Sequence, residues 1–201
     1  FYVLSLLFYL RLLHSSPSEM KINYIFLNRN YLICLALFML ALMSKPMAIS
    51  LPCVLVLIDW LHGDGLSRNA WKRRLITKIP FFALALASAV LTISAQKSGG
   101  AISTLETTPF IDRLWVAVYA LMAYLRQMVW PFDLVPFYPF PISVQWFSVR
   151  YLGAALLVVI ISLITLLYIR KYRMWSVAWG YYVVTLIPVL GLVRVGGQAM
   201  A

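Results

Sequence analysis

Acidic residues are what this chain most lacks. Six Asp and Glu stand against 17 Lys and Arg, and charged residues of both signs are 11% of the chain. Soluble domains carry about 25%, so the composition excludes an ordinary soluble domain. No two carboxylates stand close together in an outward-facing stretch, so no acid/base pair is visible. There are only two cysteines, Cys34 and Cys53, both inside apolar runs. They read as small buried hydrophobes rather than as a disulfide or metal pair. His14 and His62 lack metal-ligand spacing and read as interfacial residues. A Walker loop, a zinc motif, a nucleophile constellation, an internal repeat and a low-complexity tract are all missing. No metal or other cofactor is therefore expected. No start methionine or signal peptide precedes Phe1, which already lies in an apolar run. On this reading the chain is a fragment.

What the chain has in abundance is apolar sequence, 63% of its residues. It comes in blocks long enough to cross a hydrocarbon core, which takes about 20 helical residues. The blocks lack the alternation of barrel strands, so they predict helices. The expected fold class is all-α, a polytopic transmembrane helix bundle. The net charge of +11 does not point to nucleic acid, because the basic residues sit in short loops beside apolar spans, as in membrane proteins.

The pattern predicts a helix end at Phe1–Leu13 and a polar stretch at His14–Asn30, broken by Ser15-Ser16-Pro17-Ser18. Helices follow at Tyr31–Met43 and from Pro46 to about Trp60, joined by the tight break Ser44-Lys45-Pro46 as an antiparallel hairpin. Gly63–Arg74 reads as a basic loop, Ile76–Ala95 as a span and Gln96–Pro109 as a loop. Ile111–Trp130 is apolar and helical, and Pro131–Ser148 is an irregular Pro/aromatic outer loop. Tyr151–Tyr168 and Trp175–Val193 are spans around the basic turn Arg170–Arg173.

Loop charge places Arg68–Arg74, Arg170–Arg173 and the first polar loop in the cytoplasm, and Ser44–Pro46 outside. Three helical runs between the two basic loops break the parity. The weakest crossing is Ile111–Trp130, where Arg113, Ala117, Ala120, Tyr124 and Gln127 share one face. It is expected to be an interfacial or re-entrant helix on the outer side, with a complete span as the alternative.

Three places are candidates for chemistry. Lys45 stands at an outward helix N-terminus, where a cation opposes the macrodipole unless an anion is present. A phosphate would satisfy the lysine and the first-turn amides together, and snorkelling to headgroups is the plain alternative. The loop Trp130–Pro141 is stiffened by prolines and reads either as a binding element or as an aromatic anchor. Arg194 and Gln198, after the last span, are placed to meet an anion, a sugar or a headgroup. Asp59-Trp60, at the inner helix end, reads as interfacial anchoring.

Leu42-Met43-Ser44-Lys45-Pro46-Met47-Ala48, followed by an apolar helix ending Leu57-Ile58-Asp59-Trp60, resembles membrane glycosyltransferases of the GT-C superfamily. More narrowly it is similar to the protein-O-mannosyltransferase-like branch linked to tetratricopeptide repeats. Lys78-Ile79-Pro80-Phe81, Val129-Trp130-Pro131-Phe132 with Phe137-Tyr138-Pro139, and Gly191-Leu192-Val193 with Gly196 to Ala201 agree in order. The resemblance covers nearly the whole chain. It implies one GT-C-like transmembrane domain, a polyprenyl-phosphate-sugar donor and a protein or glycan hydroxyl acceptor. The chemistry would lie on the periplasmic, extracellular or luminal face. It also implies that the catalytic carboxylate lies upstream of Phe1 and that helical repeats follow Ala201. Lys45, then Arg126 and Arg194, are the expected donor-phosphate ligands, and Tyr138, Gln127 and Gln198 line the substrate groove. A lipid-linked-sugar flippase or transporter and a non-catalytic membrane scaffold are the competing readings.

Overall fold

A computed structural model describes residues 1–15, 22–63, 68–98, 109–131, 138–139, 148–190 and 198–200. Among the described residues the architecture is all-helical apart from one short strand pair. The chain divides into two compact units, Phe1–Ile93 and Ser94–Ala201.

The first unit holds α1 (Tyr2–Ser15), α2 (Ile22–Phe26), α3 (Arg29–Ser44), a 3-10 turn (Pro46–Ser50), α4 (Leu51–Leu61), α5 (Arg68–Ile76) and most of α6 (Ile79–Ser98). Asn28 caps α3, its side-chain oxygen accepting from the Asn30 amide at 2.9 Å. The helix stops where Lys45 turns extended, because Pro46 disfavours helical backbone in the residue before it. Pro52 and Pro80 sit in the first turns of α4 and α6, where a missing N–H leaves no hydrogen bond unmade.

Contacts from α1 to the following chain run in register. Tyr2 meets Ser50, Tyr9 meets Asp59 and His14 meets His62, so α1 lies parallel to α4. Against α3, Ser5 donates to the Cys34 carbonyl at 2.9 Å. Tyr31, Phe38 and Phe81 fill the centre. The Tyr31 ring meets Phe81 edge-on at 5.7 Å, and its hydroxyl donates to the Thr77 carbonyl at 2.9 Å.

Two segments differ from the sequence expectation. The short helix α2 interrupts the predicted polar stretch, and the second half of the predicted basic loop is the helix α5. Arg, Lys, Ala and Leu are strong helix formers, and neither glycine nor proline follows Arg68 in this segment. Charge had made a helix look like a loop. Gly63 admits α5 closely, since a Cβ there would stand 2.7 Å from the Trp71 ring and 2.8 Å from the Asp59 carbonyl oxygen.

The second unit holds α7 (Phe110–Val129), β1 (Tyr138–Pro139), α8 (Val149–Leu167), α9 (Arg173–Leu186), a 3-10 turn (Ile187–Val189) and β2 (Gln198–Met200). Ser176 donates to the Thr165 carbonyl at 3.0 Å and Trp179 to the Ser162 hydroxyl at 3.2 Å, so α8 and α9 form an antiparallel hairpin. The Tyr182 hydroxyl donates to the Leu121 carbonyl at 2.6 Å and ties α9 to α7. Ala117, Ala120, Leu121 and Leu190 form the core of this unit.

Among the described residues, two stretches are long and apolar enough to cross a membrane, Arg68–Gln96 over α5 and α6, and Val149–Leu167. The apolar helices Tyr2–Ser15, Arg29–Ser44 and Pro46–Leu61 are shorter. The helix α7 is continuous over 20 residues, about 30 Å at 1.5 Å per residue. No turn interrupts it between Phe110 and Val129. Its Arg113, Ala117 and Ala120 are buried inside the unit, while Phe110, Ile111, Leu114 and Met128 are exposed. Tyr124 and Gln127 of the same face are half-buried, so the small and polar face packs at least partly on protein while apolar residues are exposed.

Candidate functional site

Lys45 is exposed, in an extended conformation (φ −147°, ψ 121°) between α3 and the 3-10 turn. The expected cradle of first-turn amides is thinner than the sequence suggested. Pro46 has no N–H, and the Ala48 amide donates to the Lys45 carbonyl at 3.0 Å. What the end of α3 offers is the ammonium itself, on a short, proline-stiffened turn.

At the opposite end of α4, about 20 Å along the axis at helical rise, lies a group that sequence reasoning missed. Asp59 is fully buried, and its carboxylate accepts from the Lys78 ammonium and the Tyr9 hydroxyl. The Lys78 ammonium also donates to the Tyr9 oxygen, so the three side chains close a ring of contacts. Arg74 adds a cation 3.7 Å from the Asp59 carboxylate, and its guanidinium donates to the Asp59 carbonyl at 3.4 Å. Asp59 is thus a partner inside the core rather than the interfacial anchor expected of Asp59-Trp60. A buried carboxylate without a partner would cost several kcal/mol, so the burial of Asp59 requires Lys78. A signal was present. Asp59 and Lys78 stand in two of the stretches that carry the resemblance, and each is a charge beside apolar sequence.

His14 and His62, also separate in the sequence reading, are neighbours here. Their rings are 6.2 Å apart, and each Nδ1 lies within hydrogen-bond distance of the carbonyl four residues earlier.

In the second unit, β1 and β2 pair antiparallel, with Tyr138 opposite Met200 and Pro139 opposite Gln198. The Pro/aromatic loop and the C-terminal motif, far apart in sequence, therefore lie side by side, and β2 packs against α7. Two of the expected groove residues, Tyr138 and Gln198, share this strand pair by backbone; their side chains lie outside the described residues. Arg126 is exposed and Gln127 half-buried near the end of α7. Arg194, the third expected phosphate ligand, lies outside the described residues, as does most of the loop Trp130–Pro141. Lys45 belongs to the first unit, and the other candidates belong to the second.

No protein-family model, curated protein or solved structure matches this chain.

Proposed function

We propose that this chain is part of a polytopic membrane glycosyltransferase of the GT-C kind, in the protein-O-mannosyltransferase-like branch. It transfers a mannose-like sugar from a polyprenyl-phosphate donor to a hydroxyl of a protein or glycan acceptor, at the outer face of the bilayer. The observation that carries the reading is the pairing of Tyr138–Pro139 with Gln198–Met200. Both stretches belong to the resemblance, and a shared substrate groove is a physical reason for two distant motifs to meet.

The bilayer part of the proposal rests on what the helices expose. Along α6 and α8, Leu86, Val90, Leu156, Leu157, Ile164 and Leu167 are all exposed. Monomeric soluble proteins rarely expose large contiguous apolar patches, whereas lipid tails cover such a surface without cost. The helix α8 makes the case best, because Ala154 is the one buried residue along Val149–Leu167.

In the reaction, the acceptor oxygen attacks the anomeric carbon as the bond from that carbon to the phosphate oxygen breaks. The acceptor proton passes to a carboxylate expected upstream of Phe1, and negative charge develops on the leaving polyprenyl phosphate. Cations aimed at that phosphate lower the barrier. Lys45 is assigned this role first, with Arg126 and Arg194 as the further candidates. Tyr138, Gln127 and Gln198 are assigned to the substrate groove.

Buried ionisable groups are where a transporter reading would start. The Tyr9–Asp59–Lys78 group does not favour it, because its charges close on one another at helix ends. The test uses the full-length protein in sealed proteoliposomes with labelled polyprenyl-phosphate mannose and a hydroxyl acceptor. Labelled acceptor, with loss of donor in equal amount, is the expected result. Movement of intact donor across the bilayer without transfer would replace the proposal with a flippase, and neither event would leave a scaffold.

A further inference from the structure

The segment Gly63–Arg74 read by sequence as a loop whose charge merely orients the chain. As the helix α5 it has a defined surface. Arg68, Lys72, Leu75 and Ile76 stand at i, i+4, i+7 and i+8, which is one helical face, and all four are exposed. The other side is held: Ala70 is buried, Trp71 packs at Gly63, and Arg74 donates to the Asp59 carbonyl. Beyond the turn at Thr77–Lys78 the exposed series continues along α6 as Ile79, Phe82, Leu86 and Val90. The outward surface is thus cationic at one end and hydrocarbon from there on. Asp59 is the acid among the described residues of this unit, and it is buried against Lys78. No carboxylate among those residues offsets Arg68 and Lys72.

We propose that this surface binds an anionic phospholipid of the adjoining leaflet. Arg68 and Lys72 hold the headgroup phosphate, and Leu75, Ile76, Ile79 and Phe82 lie along the acyl chains. An acidic protein or a free phosphate would match the two cations, but neither would cover the aliphatic row directly below them. A zwitterionic headgroup would cover the row but cancel the charge attraction. The proposal rests on the bilayer part of the functional reading and is independent of the sugar chemistry.

The experiment places the full-length protein in phosphatidylcholine vesicles and measures how strongly spin-labelled phosphatidylglycerol associates relative to spin-labelled phosphatidylcholine. Juxtamembrane cations contribute about 1 kcal/mol each, which converts to about fivefold in association per cation at 1.4 kcal/mol per decade. Wild-type protein should show a severalfold preference that falls as salt is raised. Arg68→Gln/Lys72→Gln should bring it near parity, and the charge-retaining Arg68→Lys/Lys72→Arg should keep it. Arg170→Gln/Lys171→Gln, which removes equal charge from the other basic turn, should keep most of it. Absence of preference in the wild type, or a preference unchanged in the Arg68/Lys72 glutamine variant, would overturn the site. Failure of the wild type to enter the phosphatidylcholine vesicles would overturn the bilayer reading, and the lipid site with it.

Discussion

At the scale of single residues, the tightest constraint is the contact ring of Tyr9, Asp59 and Lys78. It joins α1, α4 and the turn that leads into α6, so one carboxylate ties three parts of the unit together. Removing Asp59 leaves Lys78 buried without its anion, and removing Lys78 leaves Asp59 with only the more distant Arg74, each at a cost of up to about 3–5 kcal/mol. Asp59→Asn and Lys78→Met should each lower the unfolding midpoint of the purified protein sharply. The double variant removes both charges and should recover most of the loss. Tyr9→Phe removes one charge-assisted bond and should cost less, about 1.5–3 kcal/mol. Thermal unfolding in one detergent checks the order, and a double variant no better than the singles would show that the pair is not the coupling. Lys45 makes a different prediction, because it is exposed. Lys45→Ala should leave unfolding unchanged and reduce sugar transfer by roughly 10- to 150-fold in kcat/KM, the value of a charge-assisted contact. Lys45→Arg should recover only part of the activity, because a planar guanidinium does not reproduce a point charge. A snorkelling lysine predicts full recovery by arginine, and steady-state assays on correctly inserted protein separate the two.

At the scale of elements, α7 is the piece whose sequence and packing must be reconciled. Its polar face was legible in the periodicity of Arg113, Tyr124 and Gln127, but the medium against that face was not. A helical wheel gives an angle, and only neighbours decide whether protein or water lies there. In the fold Arg113, Ala117 and Ala120 of this face are buried in the unit's core region, and Tyr124 and Gln127 are half-buried. Small residues allow such close approach, as they do between helices in lipid. An interfacial α7 predicts that cysteines at positions 111 and 128, introduced after Cys34 and Cys53 are replaced, meet an external reagent equally. Positions 72 and 171 should stay protected in intact cells, and position 45 should react. Protection at position 128 with reaction at position 111 would make α7 a complete crossing, its ends about 30 Å apart. Labelling at position 72 or 171 from outside would reverse the charge-based orientation.

For the whole molecule, the strand pair is the feature on which the proposed site depends. Directly opposed strand residues hold their Cβ atoms about 4.5–5.5 Å apart, close to what a disulfide needs. Tyr138→Cys/Met200→Cys should therefore cross-link on mild oxidation in the folded protein. The same oxidation of Tyr138→Cys paired with a cysteine at exposed Trp175 on α9 serves as the control. Absence of the bond in the 138/200 pair would separate the two motifs and remove the observation that supports a shared groove.

Much was determined locally by the sequence. The apolar blocks, the Pro46 break, the hairpin of α8 and α9 and the helical character of 110–129 follow from neighbouring residues, because helix formation and its interruption are local. Which charges are partners was decided only by the tertiary structure. Asp59 and Lys78 looked like two separate charges near helix ends, and the cost of burial explains why they must meet but not with whom. His14 and His62 were likewise separate until α1 lay parallel to α4. Tyr138 and Gln198 came onto one strand pair because backbone groups of distant segments hydrogen-bond to each other, a pairing that no local spacing encodes. A charge near an apolar span marks a place where something must compensate it, and the packing of the helices supplies the compensating group.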